Sequence, residues 1–332
     1  MKAFIHKGKA GLEYTYFTEI EEREPQKSEV KVRLKTAGLN HRDIWTLYRR
    51  SEDAGPVVLG SDGAGVIYAV GEGVENVQIG DEVIINPSLR WPNKSDAPPD
   101  EFDVLGGPTD GTFAEYTIIP AENVEQKPKH MSWEEAGVFS LAALTAYRAL
   151  FTRANLQANQ TVLVPGIGSG VATFVLLMAK AAGARVIVTS RIKRKCKKAI
   201  ELGADMAIDS ECDWNEALKG ENIDLIIDSV GQAIWEKALF VLKRGGTIIN
   251  FGATSGRKVE IDLGNLYFGQ YNILGTTMGS HKEFREMLQF VEKHRIRPVI
   301  DKVFPHENTI KAFERMNEGS QFGKICLKMD LK

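Results

Sequence analysis

Residues 161–191, TVLVPGIGSGVATFVLLMAKAAGARVIVTSR, constrain this chain more than any other stretch, because they read as strand, glycine turn, helix and strand in unbroken succession. An apolar run at 162–164 meets Gly166, Gly168 and Gly170, an apolar-periodic helix follows and ends at Gly183, and Val186, Ile187 and Val188 start a new strand. That is a βαβ unit. Glycines at such a turn let the backbone bend tightly and approach a pyrophosphate, whose charge free N–H groups and the positive end of the helix dipole then hold. The expected ligand is a dinucleotide. The spacing departs from G-x-G-x-x-G because position 171 is Val, so the motif draws its weight from the strand-helix-strand context. The plain structural alternative is a glycine turn in any doubly wound sheet.

The residues after the second strand separate the two nicotinamide cofactors. An acid about 20 positions past the glycines would bind a ribose 2′-hydroxyl, whereas basic residues accommodate a 2′-phosphate. Between Ala136 and Ile200 there is no Asp or Glu, and the strand runs into Ser190, Arg191, Lys193, Arg194 and Lys195. This pattern predicts NADP(H). Ser190 can donate to the phosphate, Arg191 offers a planar fork of donors, and the lysines add point charges. A solvated basic helix start is the competing reading.

Composition bounds the rest. A chain of 332 residues with 43% hydrophobic and 26% charged residues has enough core for about two domains. With 42 basic against 44 acidic residues, nothing in the overall charge calls for nucleic acid or a membrane surface. The N-terminus MKAFIHKGKAG lacks the apolar core of a signal peptide, and no apolar run is long enough to span a bilayer, so a cytoplasmic location is expected. Cys196, Cys212 and Cys326 lack C-x-x-C spacing and read as inert thiols rather than as disulfides or a zinc cluster.

The first hundred or so residues are β-rich, with Val30, Val32 and Leu34 alternating with Lys31, Arg33 and Lys35, and short runs at 66–70, 83–85 and 112–119. Residues 88–111, rich in Pro, Gly and Asp, read as an irregular loop or lobe. A helical stretch at 134–150 leads into the dinucleotide unit, after which strand candidates at 207–208, 225–227, 247–250 and 272–274 alternate with helices. Such alternation predicts a parallel sheet covered on both faces. A helix at 284–294 and the segment GKICLKM lead the chain out again, so the first domain is expected to be discontinuous.

Nine segments together carry a family resemblance: AGLNHRDIW (37–45), VLGSDGAGVI (58–67), GDEVI (80–84), GTFAEY (111–116), LTAYRAL (144–150), DSVG (228–231), GGTIINFGAT (245–254), ILGTTMG (273–279) and FGKICL (322–327). Over essentially its full length the chain resembles the medium-chain dehydrogenase/reductase superfamily, in particular its zinc-free quinone oxidoreductase-like branch. The resemblance implies an α/β architecture: a GroES-like β-rich catalytic domain (1–123 and 276–332), a doubly wound Rossmann NADP-binding domain (124–275), and an active-site cleft between them.

Departures from the zinc-dependent members define the chemistry. Where those have Cys this chain has Asn40, and where they have His-Glu it has Ser61-Asp62; no Cys precedes Cys196, and the 88–111 segment has neither Cys nor His. Catalytic zinc needs about three protein ligands and structural zinc about four. No metal site is therefore expected, and a residual set of His41 and Asp62 lacks a third ligand. Without a Lewis acid an unactivated alcohol is hard to oxidise, whereas a quinone or α,β-unsaturated carbonyl accepts hydride readily if the rings are oriented and the developing enolate meets hydrogen-bond donors.

The resemblance implies catalytic roles for Asn40, whose amide suits both the cofactor and a substrate oxygen, and for Tyr48. It implies cofactor contacts for Asn40, Thr145, Gly166, Gly168, Ser169, Gly170, Val171, Ser190, Arg191, Lys195, Ser229 and Val230, then Phe251, Gly252 and Ala253, then Thr276, Thr277 and Met278, with Lys324 closing the site. Asn40 as a turn residue and Tyr48 as a packing residue are the structural alternatives. Asp43 and Asp62 have contexts that fit loop anchors or proton organisers equally. The expected activity is NADPH-dependent reduction of a quinone or enone. A metal-free carbonyl reductase of alcohol dehydrogenase type and an NADPH-binding protein with little turnover stay open. The implied partners are a small carbonyl or quinone substrate and a second copy of the chain, paired through the strand near residues 272–276, with tetramers also open. Trp91 reads as a plug for a loop that lost its metal, or else as pocket lining together with Tyr48 and residues 267–271.

Overall fold

A computed structural model describes residues 1–329. The chain divides into two compact units, Met1–Leu144 with Gly279–Lys332, and Thr145–Met278. Residues 330–332, the end of the expected catalytic-domain range, lie outside the described residues.

The discontinuous unit is built on a seven-stranded sheet. Its path runs Val124–Gln126, Glu82–Ile85, Asp62–Val70, Glu29–Gly38, Lys324–Lys328, Ile300–Pro305, with Tyr116–Pro120 also pairing Glu29–Gly38. The alternation seen at positions 30–34 is explained by Val30, Val32 and Leu34 all lying at 0% exposure in one apolar core with Phe113 and Phe313. This unit runs past the expected boundary at residue 123 as far as Leu144. The reason is packing: helix Trp133–Gly137 lies on strands Glu29–Gly38, Asp62–Val70 and Lys324–Lys328, and Thr36 Oγ1 donates to the Trp133 carbonyl at 2.6 Å. Glycine is required at position 38, where a Cβ would come within 2.7 Å of Val138 Cα.

The other unit is a six-stranded parallel sheet in the order Met206–Asp209, Arg185–Ser190, Thr161–Val164, Ile223–Asp228, Leu242–Asn250, Asn272–Gly275. Numbered along the chain that order is 3-2-1-4-5-6, which places the topological switch between the first and fourth strands, at the carboxyl end of Thr161–Val164. Its inner strands are buried on both faces and correspondingly apolar, as in Val162, Leu163, Val186, Ile187, Ile226 and Ile248. Among the described residues no helix is long and apolar enough to cross a membrane.

Segment 88–111 is more ordered than its composition predicts. Ser88–Leu89 pairs with Asp103–Val104, and Trp91, fully buried, packs against Phe102 with ring centroids 5.3 Å apart while its Nε1 donates to Ser95 Oγ at 2.9 Å. The Trp91 carbonyl accepts from His281 N at 2.8 Å, and His281 Nε2 lies 2.8 Å from the Ser88 carbonyl. An indole core and strand-to-helix bonds thus organise the lobe.

Candidate active site

In the parallel unit the glycine turn lies at the switch point. Gly166 and Gly168 have φ of +69° and +124°, a region L side chains rarely adopt, and a Cβ on Gly168 would come within 2.8 Å of Lys195 Cδ and 3.2 Å of its Nζ. The lysine therefore folds over the turn, 8% exposed, and brings its ammonium to the glycines. Ser169 caps helix Gly170–Ala181, its side chain accepting from Ala172 N, so Gly170 and Val171 form the first turn, at the positive end of the helix dipole.

At the end of Arg185–Ser190 the Ser190 hydroxyl accepts from Ile192 N at 3.1 Å, which leaves its own hydrogen to donate, and Arg191 is exposed. The next turn is held by Asp228, which sequence reasoning passed over although it opens the DSVG segment. Its buried carboxylate accepts from Val230 N at 2.7 Å, Gly231 N at 3.1 Å and Asn250 Nδ2 at 2.9 Å. Burial pushes the Asp228 carboxyl up while those donors hold it down. Ser229 and Val230 follow on this turn, and Phe251, Gly252 and Ala253 follow strand Leu242–Asn250, all six positions being partly buried or buried from Asp228 onward. Beyond the edge strand, Thr276 N bonds the Asn250 carbonyl, and the buried Thr276 Oγ1 has no hydrogen-bond partner among the described residues. Thr277 is exposed, Met278 is buried with φ +36°, and Thr145 is 5% exposed. A glycine cradle beside a lysine, a helix N-terminus and an orphan hydroxyl, all at carboxyl ends of parallel strands or just beyond, fit a dinucleotide.

The discontinuous unit holds a different kind of centre. Strand register sets it up: Gly38 pairs with Asp62 on one side and with Cys326 on the other, so Asn40, Asp62 and Lys324 converge at one end of three adjacent strands. Lys324 Nζ donates to the Leu39 carbonyl at 2.8 Å, to Asp62 Oδ2 at 3.0 Å and to Asn40 Oδ1. Asn40 Nδ2 donates to Asp62 Oδ2 at 3.0 Å and to Ser61 Oγ at 3.3 Å. The other oxygen of Asp62 accepts from Leu141 N at 2.7 Å. Asp43, three residues into the turn that starts helix His41–Arg49, accepts from Asn40 N at 2.7 Å and from Ser61 Oγ at 3.5 Å. Burial drives the Asp43 carboxyl up to about 6, partly offset by Arg42. Ser61 enters the sequence reading only as a replaced zinc position, and Asp43 and Asp62 as loop anchors or proton organisers; the structure joins all three in this centre.

The sequence had brought Asn40 and Lys324 to the site as separate contacts, and the structure bonds them to each other. Tyr48 lies on the exposed side of its helix, 59% exposed. Next to Lys324 on the same strand, Cys326 is wholly buried, which pushes its thiol up to about 12.

The donor set does not fit zinc. The position that must bind the metal carries an amide, a hydroxyl and one carboxylate, and a lysine ammonium already occupies the amide and carboxylate oxygens. His41 is exposed while Asp62 is wholly buried, and no group of three metal-ligating side chains occurs among the described residues.

Comparisons with known proteins agree with this architecture. Residues 26–129 match the alcohol dehydrogenase GroES-like domain, and residues 170–293 match the family described as zinc-binding dehydrogenase. A zinc-type alcohol dehydrogenase-like protein of Schizosaccharomyces pombe is 38% identical over 327 residues, covering 92% of this chain and 93% of that protein. A crotonyl-CoA carboxylase/reductase of Cereibacter sphaeroides is 28% identical over 338 residues, covering 87% and 77%. The crystal structure of an NAD-dependent alcohol dehydrogenase superposes with a TM-score of 0.93 at 35% identity, covering 99% of each chain.

Proposed function

The chain belongs to the medium-chain dehydrogenase/reductase superfamily, as an oxidoreductase of the zinc-type alcohol dehydrogenase-like group, and we propose that it reduces quinones or α,β-unsaturated carbonyls with NADPH and without catalytic zinc. The observation that carries this reading is the Lys324 ammonium bonded into the oxygen set of Asn40 and Asp62. A substrate here lacks a Lewis acid from the protein's own residues, which favours an acceptor whose conjugation already makes it electrophilic. The relative named crotonyl-CoA carboxylase/reductase supports a conjugated acceptor as well.

NADPH, when bound, supplies the hydride. Gly166, Gly168, Ser169, Gly170 and Val171 would hold its pyrophosphate, with the Lys195 ammonium beside them, and Ser190 and Arg191 would take the 2′-phosphate at a strand end that has no acid. Ser229, Val230, Phe251, Gly252, Ala253, Thr276, Thr277, Met278 and Thr145 would line the rest, Thr276 gaining the partner its hydroxyl lacks. Asn40 would meet the substrate oxygen by exchanging its longest bond, the 3.3 Å contact to Ser61, and Tyr48, whose side chain is exposed, would supply a hydroxyl for orientation or proton delivery.

A second copy of the chain is the partner this reading favours. Strand Asn272–Gly275 ends the parallel sheet, and the neighbouring helix Leu263–Gly269 exposes Leu263, Tyr267 and Phe268.

The test is consumption of NADPH against NADH with a simple quinone, an enone and an aldehyde, on protein assayed for metal. Turnover of the first two with at least about tenfold preference for NADPH, unaffected by chelator, is the expected result. Tight NADPH binding without turnover would establish a binding protein instead, and reduction of the aldehyde alone a carbonyl reductase. Ser190→Asp is expected to shift the preference towards NADH.

A further inference from the structure

Lys324 and Asp62 are buried at 3% and 0% exposure, and they meet 262 residues apart in the chain. Burying an ammonium and a carboxylate is unfavourable unless their geometry is good and every remaining donor is satisfied. Here all three ammonium hydrogens have acceptors: the Leu39 carbonyl, Asn40 Oδ1 and Asp62 Oδ2. Three hard oxygens carrying one full negative charge and converging on a point are what a cation site consists of. In this chain the point is filled by Nζ.

We propose that Lys324 is a positioning residue acting as a tethered cation: its ammonium takes the place of a metal ion and fixes which way the Asn40 carboxamide faces. Lysine has donors only, so the Asn40 oxygen must turn to Nζ and its NH₂ group must turn to Asp62 and Ser61. A divalent ion could enter only by displacing an ammonium from a buried carboxylate. Removing the ammonium leaves Asp62 uncompensated, with the Asn40 and Leu39 oxygens already aimed at the gap and Ser61 alongside. Such a gap takes up a small cation. This inference rests on the zinc-free part of the proposed function but needs no particular substrate: its failure is read in cation uptake and salt-specific melting, and failure of the NADPH-reductase reading in turnover.

The test compares the whole chain as wild type, Lys324→Arg and Lys324→Met. Each is titrated with Mn²⁺, followed by the electron paramagnetic resonance of the free ion, and each is melted in ethylammonium or tetramethylammonium chloride at equal strength. Wild type and Lys324→Arg are expected to take up no Mn²⁺. Lys324→Met is expected to bind it at least about tenfold more tightly than wild type, and to melt higher in ethylammonium than in tetramethylammonium, which has no N–H to donate. A purely structural loss of packing would not distinguish the two salts. Should Lys324→Met fold only with help, refolding recovered by ethylammonium and not by tetramethylammonium supports the proposal, and equal recovery or none in both overturns it. Stoichiometric Mn²⁺ or Zn²⁺ uptake by wild type that Asp62→Asn abolishes also overturns it.

Discussion

The glycine turn of the parallel unit and the buried polar centre of the discontinuous unit solve the problem of fixed charge in opposite ways. At the turn the groups proposed to hold the cofactor are backbone N–H groups and a helix end, so the sequence contributes by omission: Gly166 and Gly168 withhold side chains, and no acid stands after the strand. At the centre five residues, Asn40, Asp43, Ser61, Asp62 and Lys324, are hydrogen-bonded to one another, and the Leu39 carbonyl and Leu141 N complete the set. The first arrangement tolerates many neighbours and fails on an added methyl group. The second tolerates open space poorly and fails when any one charge loses its partner.

The sharpest way to break the comparison is to unpair the centre. Asp62→Leu strands the Lys324 ammonium in the core and is expected to lower unfolding free energy by roughly 3–5 kcal/mol, read from urea denaturation. Asp43 tests the same region through pH. Its carboxyl lies at about 6 in the folded chain because of burial, above the ordinary 3.8. Folding therefore carries no penalty from this group below about pH 4, loses stability as pH rises towards 6, and stays lower by about 3 kcal/mol above that. Asp43→Asn keeps an acceptor for Asn40 N and should flatten that part of the stability profile; an unchanged difference between the two proteins from pH 4 to 7 would remove the carboxyl from the account. At the turn, Gly168→Ala combines φ of +124° with a 2.8 Å clash on Lys195, and about 1–3 kcal/mol of strain should fall on dinucleotide affinity, measured by calorimetry. If global stability fell as far as it does for Asp62→Leu, the contrast between the regions would be lost.

The same contrast explains what could be read in advance. The parallel sheet announces itself locally, since strands buried on both faces are apolar runs and the glycine turn sits beside one of them. Residues Val162, Val186, Leu225 and Ile273 accordingly lie in the strands expected from sequence. Asn40 and Lys324 came to attention only through resemblance, as two contacts of a ligand. That they bond each other, with Asp62 between, follows from Gly38 pairing both Asp62 and Cys326, and sheet order of that kind leaves no local period in the chain. The 88–111 segment misled because its Pro, Gly and Asp content describes its turns, while its order comes from one residue, Trp91, and from bonds to His281 nearly two hundred positions away. The domain boundary lies at Leu144 for a related reason: helix Trp133–Gly137 packs on strands Glu29–Gly38, Asp62–Val70 and Lys324–Lys328, none of which it adjoins in sequence.

Cys326 gives the centre a chemical temper of its own. On the proposed function the site would receive conjugated carbonyls or quinones, electrophiles that alkylate thiolates, and Cys326 lies two residues from Lys324. With its thiol held near 12 by burial, essentially none of it is ionised at neutral pH, and no surface of the side chain meets solvent. The strand that carries the tethered ammonium thereby keeps a small buried side chain at this position without offering electrophiles a thiolate.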